Sequence, residues 1–134
     1  MLNNWKLIEQ MELINGYIND ECQEYLYYSP AINRRIYEKI KNASERILNN
    51  ALRIVRNQKP LIKADNGFLS IENSRNLLFD IYKITLSIDF PIIKERKIKK
   101  IIQDKFLINP DDILYNSPSR DIEELKNQRI LNGK

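Results

Sequence analysis

The stretch Ser29–Lys59, SPAINRRIYEKIKNASERILNNALRIVRNQK, decides the fold. Wound as a helix at 100° per residue, it brings Ile32, Ile36, Ile40, Ala43, Ile47, Ala51 and Ile54 into one stripe at steps of four and three. Tyr37, Leu48, Leu52 and Val55 widen that stripe on one side. Measured from Ile36, the cations Arg35, Lys39, Arg46 and Arg53 fall at about −100°, −60°, −80° and −100°, in one row beside the apolar face. Glu38 and Glu45 lie near 180°, away from it, and the row runs about 27 Å along the axis. Ser29 is placed to cap this helix and Pro30 to fix its first turn.

Working outward, Asn3 or Asn4 opens a first helix that runs to about Tyr27. Its stripe is Ile8, Met11, Ile18, Cys22 and Tyr25, flanked by Leu7, Ile14 and Leu26. Gly16 weakens the middle of this helix by roughly 1 kcal/mol without forcing a break. Tyr25, Tyr27 and Tyr28 crowd its end, where they plug the end of a bundle or, alternatively, stack on bases.

Gln58–Leu69 is a connection marked by Pro60 and the turn dipeptide Asn66-Gly67. Ser70 caps a third helix, with Glu72 in its first turn and Ile71, Leu77, Leu78, Ile81, Ile84, Leu86 and Ile88 expected to be deeply buried. Asp89-Phe90-Pro91 stops it and starts a fourth helix, about Pro91–Leu107, which buries Ile98, Ile101, Ile102 and Phe106. Asn109-Pro110 starts a short piece through Tyr115, Ser117-Pro118-Ser119 breaks it, and residues 121–134 form a last helix with a thin apolar face, mobile or docked on another subunit.

These segments predict an all-α, antiparallel up-down-up-down four-helix bundle over residues 1–107, with a short C-terminal extension over 108–134 that is partly helical or mobile. In that arrangement the second and fourth helices sit diagonally, their cations forming two rails that border one groove over the third.

With 134 residues and 43% hydrophobic content, the chain is long enough for one domain with a true core. Its net charge of +4 is unevenly spread. Residues 1–30 hold one Lys against five acids, residues 31–59 eight cations against two acids, and residues 91–106 six cations against two acids. The single cysteine, Cys22, falls on the apolar stripe of the first helix as a packed thiol, which fits a reducing, cytoplasmic setting. No run approaches the ~20 apolar residues of a membrane span, and MLNNWKLIEQMELIN lacks the cationic start of a signal peptide.

The absence of histidine removes His general bases and Ser-His pairs, one Cys leaves no zinc cluster, and no Gly-rich phosphate loop is present. Carboxylate pairs Glu9/Glu12 and Glu21/Glu24 stand at i,i+3, with Asp80 the one matching acid on a facing helix; an ordinary acidic surface is favoured over a metal-dependent phosphohydrolase. No catalytic residue, metal ligand or cofactor is therefore assigned. The basic row is the stronger signal, since cations at helical spacing neutralise successive phosphates. Arg35, Lys39, Arg46, Arg53, Lys97 and Lys100 are the expected nucleic-acid contacts, with Asn42, Asn49, Asn50 and Asn57 as donors to phosphate or sugar. The expected function is a non-enzymatic accessory protein on RNA or DNA. The alternative is a small protein-interaction module: an immunity protein, an antitoxin or a phage-encoded inhibitor.

The segment SPAINRRIYEKIKNASERILNNALRI (29–54) resembles the second helix of the accessory variability determinant proteins of diversity-generating retroelements. Those proteins are related to the four-helix proteins encoded in ribosomal RNA intervening sequences. NSRNLLFDIYKITLSIDF (73–90) is similar to their third helix, and the likeness covers about residues 25–106. The resemblance implies a small basic bundle that oligomerises as a ring, binds nucleic acid and assists a reverse transcriptase, with Arg35, Lys39, Arg46 and Arg53 as contacts. The Gly-Trp pattern that ends the fourth helix of the family is absent, and residues 108–134 extend beyond it. A second stretch, IKKIIQDKFLINPDDI (98–113), is similar to the first helix and loop of acyl carrier proteins, but no Asp-Ser-Leu follows to carry a phosphopantetheine.

Overall fold

The computed structural model describes the backbone of residues 3–28, 30–87 and 91–114 and, within these, the side chains of 3–24, 34–87 and 94–113. The chain is mostly helical: α1 (Asn4–Tyr28), α2 (Pro30–Val55), α3 (Ile71–Ser87), α4 (Pro91–Phe106) and the single turn α5 (Asp111–Leu114). Between α2 and α3 lies a two-stranded antiparallel hairpin, β1 (Lys63–Ala64) and β2 (Gly67–Phe68), too short for any alternating apolar pattern to announce it. The expected C-terminal helix, the Tyr25/Tyr27/Tyr28 cluster, the Ser29 cap, the Ile32 and Ile88 contacts and the Asp89-Phe90 stop lie outside the described residues.

The helix ends follow from their side chains. Asn3 accepts from the Trp5 N–H at 2.9 Å and opens α1, and the Ser70 hydroxyl accepts from Asn73 N–H at 3.1 Å and opens α3. Asn109 does the same for α5, accepting from Asp111 N–H at 3.1 Å. At the end of α2, Asn57 takes the left-handed conformation (φ 58°), and Gln58 N–H reaches back to the Arg53 carbonyl at 2.8 Å, which closes the helix at Val55. Leu107 ends α4 in the same conformation (φ 51°) and accepts from Asp65 N–H at 3.0 Å, tying the hairpin to the α4 exit.

α1 packs on α2 and α3, while α2 also packs on α3, α4 and α5, and α3 on α4. α2 and α3 are thus the inner pair, with α1 at one side and α4 at the other. Gln10 meets Arg75 and Tyr17 meets Tyr82, the same step of seven along both helices, so α1 and α3 run parallel. Lys94, at the start of α4, donates to the Thr85 carbonyl near the end of α3, and Lys105 reaches back to Asp80, so these two helices run antiparallel.

The core collects Ile8, Met11, Ile18 and Cys22 from α1, Ile36, Ile40, Ala43, Ile47, Leu48, Ala51 and Leu52 from α2, and Leu77, Leu78 and Ile81 from α3, each aliphatic side chain contributing about 1.5–3 kcal/mol of burial. Of the residues expected in the core, Leu86 is instead 52% exposed, and Ile54, Ile101 and Phe106 are half-buried. Ile108 and Ile113, from the stretch expected outside the bundle, are buried in this same core. A Cβ on Gly16 would meet nothing within 4 Å, which agrees with its place on an open helix face.

Two buried polar features shape the interior. Lys94 is 1% exposed and sits near Cys22, where burial pushes the thiol up to about 12, against the opposing pull of the Lys94 ammonium and with a smaller push from Glu21. Asn50, fully buried, accepts from Leu61 N–H (2.9 Å) and Ile62 N–H (3.0 Å) while its amide donates to the Leu69 carbonyl (3.1 Å) and the Ser74 hydroxyl (3.4 Å). One side chain thereby anchors both ends of the hairpin connection to α2. Among the described residues, no helix is long and apolar enough to cross a membrane.

Candidate nucleic-acid interface

The cation row of α2 does not stay one exposed row. Arg35 is exposed, as expected. Lys39 forms an ion pair with Glu95 of α4, the two side chains only 12% and 18% exposed. Arg46 donates from Nε to the Asp112 carbonyl at 3.2 Å and from a terminal nitrogen to the Leu61 carbonyl at 3.5 Å. Burial draws its pKa below the usual arginine value, with Asp112 opposing and Arg53 reinforcing that shift, although a guanidinium remains a cation at ordinary pH. Arg53 donates to the Lys59 carbonyl at 2.9 Å. Three of the four cations therefore hold the hairpin connection, α4 and α5 against α2.

The reason is the chain that folds over this flank. Between Ala43 and Leu52 every residue of α2 is buried except the half-buried Arg46, so the helix is covered on its polar side as well. Asn49 and Asn50, 1% and 0% exposed, cannot serve as phosphate donors here. Asn42 is half-buried, and Asn57 is exposed but fixed as a helix cap. The expectation of a diagonal α2 and α4 is also corrected: the two helices pack directly on each other, through Lys39 and Glu95 among others.

Exposed cations nonetheless stand on both of these packed helices. Arg34 and Arg35 near the start of α2 are exposed, and so are Arg96, Lys97 and Lys100 of α4. Measured from Glu95, which faces α2, Arg96, Lys100 and Lys97 stand at about 100°, 140° and 200°, on the outward side of α4. The helical period places Arg96 with Lys97, Lys99 and Lys100 off the buried face of α4, whereas Arg34 lies outside the aligned row of α2 and carries no such signal. Glu38 and Asp104 are the exposed acids among the described side chains of 34–42 and 94–106.

No three of the described acidic or thiol side chains are grouped to hold a metal ion, and Asp80 is engaged by Lys105 at 3.1 Å. A cleft of about 570 Å³ lies between Asp65, Gln103, Leu107, Ile108, Asn109 and Pro110, at the foot of α4. Comparison with protein-family models, with curated proteins and with solved structures found no match to this chain.

Proposed function

We propose that this chain is a non-enzymatic accessory protein that holds the phosphate backbone of RNA or DNA on the edge formed by α2 and α4. The bundle itself we read as up-down-up-down, which the parallel α1/α3 pair and the antiparallel α3/α4 pair support. The observation that carries the function is the set Arg34, Arg35, Arg96, Lys97 and Lys100, all exposed on two helices that pack together. Lys39, Arg46 and Arg53 serve the frame, and their positive charge adds to the field at that edge. The enzyme assisted would be a reverse transcriptase or a similar nucleic-acid enzyme, on the strength of the resemblance in residues 29–54 and 73–90.

Fluorescence anisotropy with a short RNA and a DNA duplex, titrated from about 50 to 200 mM salt, tests this. Five phosphate contacts give a slope of log K against log salt near −4.5 on duplex, from about −0.9 per contact. The triple variant Arg35→Ala, Lys97→Ala, Lys100→Ala is expected to reduce that slope to about −2 and weaken binding at least tenfold. Absence of binding at low salt, or an unchanged slope in the triple variant, overturns the reading. The second reading, a protein-interaction module, is favoured by a separate observation, the exposed apolar side chains on α1 and α3.

A further inference from the structure

On the other edge of the molecule, α1 and α3 expose Leu13 (60%), Tyr17 (49%), Phe79 (43%) and Leu86 (52%). They form one patch. The Tyr17 and Tyr82 rings meet across the two helices at 5.7 Å, Leu13 stands one turn before Tyr17, and Phe79 and Leu86 lie one turn to either side of Tyr82. A contiguous apolar patch of this kind on a small domain marks an interface. We infer that this face is a two-fold interface with a second copy of the chain, α1 of one protomer lying over α3 of its partner.

The charges around the patch select that occupant. On α1 the flanking exposed groups are the cation Lys6 and the acids Glu9, Asp20 and Glu24; on α3 they include the acid Glu72 and the cations Arg75, half-buried, and Lys83, which sits 4.7 Å above the Phe79 ring. Because α1 and α3 run parallel, with Gln10 level with Arg75 and Tyr17 level with Tyr82, residues at equal height are fixed. A two-fold axis along the helices keeps each residue at its own height while exchanging α1 for α3. Glu9 then meets the Arg75 of the second copy, Asp20 comes within side-chain reach of its Lys83, and Leu13 and Tyr17 cover its Phe79 and Tyr82. An isologous contact requires a surface complementary to itself, and opposite charges at nearly equal height, Lys6 with Glu72 as well as Glu9 with Arg75, meet that requirement. The α2–α4 edge lies on the far side of the bundle and stays open, so the association neither uses nor depends on the nucleic-acid reading.

Sedimentation velocity on the full chain from about 1 to 100 μM at physiological salt provides the test. The expected result is a concentration-dependent monomer–dimer equilibrium, weakened at least tenfold by Leu13→Glu or Leu86→Glu, with an unchanged helical spectrum because both positions are exposed. Glu9→Lys and Arg75→Glu chains should each dimerise poorly alone and form a heterodimer when mixed, since both charge pairs are then restored. A chain that stays monomeric throughout overturns the inference. A dimer indifferent to Leu13→Glu and Leu86→Glu overturns it too, by moving the interface elsewhere. So does a monomer that loses a captured foreign protein on those substitutions, which assigns the face to that protein.

Discussion

Residues 34–42 and 43–52 of α2 continue one apolar stripe and one row of cations, yet Arg35 in the first half stands in solvent while Arg46 in the second donates to the carbonyls of Leu61 and Asp112. The halves differ in what lies over them, not in their own pattern. The connection from Gln58 to Leu69 and the α5 turn return to the second half and need donors there, because backbone carbonyls brought against a helix lose water and require a partner. Arg46, Arg53 and Asn50 meet that need. A cation at helical spacing thus has two possible uses, and the choice is made by chain remote in sequence. The same residue type serves the fold in one half and remains available to a partner in the other.

Removing Asn50 should separate the halves most strongly. Asn50→Ala leaves the N–H groups of Leu61 and Ile62 and the carbonyl of Leu69 without their partner, at about 1–3 kcal/mol for each group left unmet. Because the connection will rearrange to recover some of these bonds, the expected loss is about 3 kcal/mol in urea unfolding. A loss under about 1 kcal/mol would show that Asn50 is not the anchor of the connection. An equivalent change in the first half, Asn42→Ala, has no such bonds to break among those described and should stay within about 0.5 kcal/mol.

Much of this architecture was legible beforehand, and the boundary of legibility is physical. The stripes of α1, α2 and α3 predicted the core because burial follows a 3.6-residue period that the sequence states directly. Asn3, Ser70 and Asn109 were readable as caps because a capping oxygen acts on N–H groups two or three residues away. The use of Arg46, Arg53 and Asn50 was not readable, since their partners lie in a hairpin with two-residue strands and in a single-turn helix. Nor was the direct contact of α2 with α4, because helical period says which face is buried and not which helix buries it. Leu86 reads as core on its residue type; its exposure shows where apolar character and the helical face disagree. For the candidate site, Arg35, Arg96, Lys97 and Lys100 were legible as cations off the buried faces, whereas Arg34 becomes relevant only once α2 and α4 are seen to adjoin.

Arg46→Ala probes the same division at smaller scale. Its two bonds from a charged donor to backbone carbonyls are half-exposed, which reduces their worth to about 1–2 kcal/mol. The loss should be local, appearing as faster amide exchange in residues 61–65 and in α5 before any global change. Equal acceleration across all helices would show that Arg46 supports the whole core and not the connection over it.

Arg35→Ala completes the series with the smallest effect on stability and the clearest one on binding. The side chain is exposed, so its removal should change unfolding by no more than about 0.5 kcal/mol. If it belongs to the polyanion-binding edge, the same variant should lower the salt slope by about 0.9 on duplex DNA, one phosphate's share. Arg46→Ala should do the reverse, costing stability while leaving the slope nearly intact, because its guanidinium already serves two carbonyls. Measured together, the two variants form a crossed comparison within a single helix. A loss of binding slope in both would mean that the field of the entire row matters, as the sequence pattern first suggested; a loss in Arg35→Ala alone would confine the contact to the exposed half. No change in either would remove α2 from the interface and leave the cations of α4 to carry it.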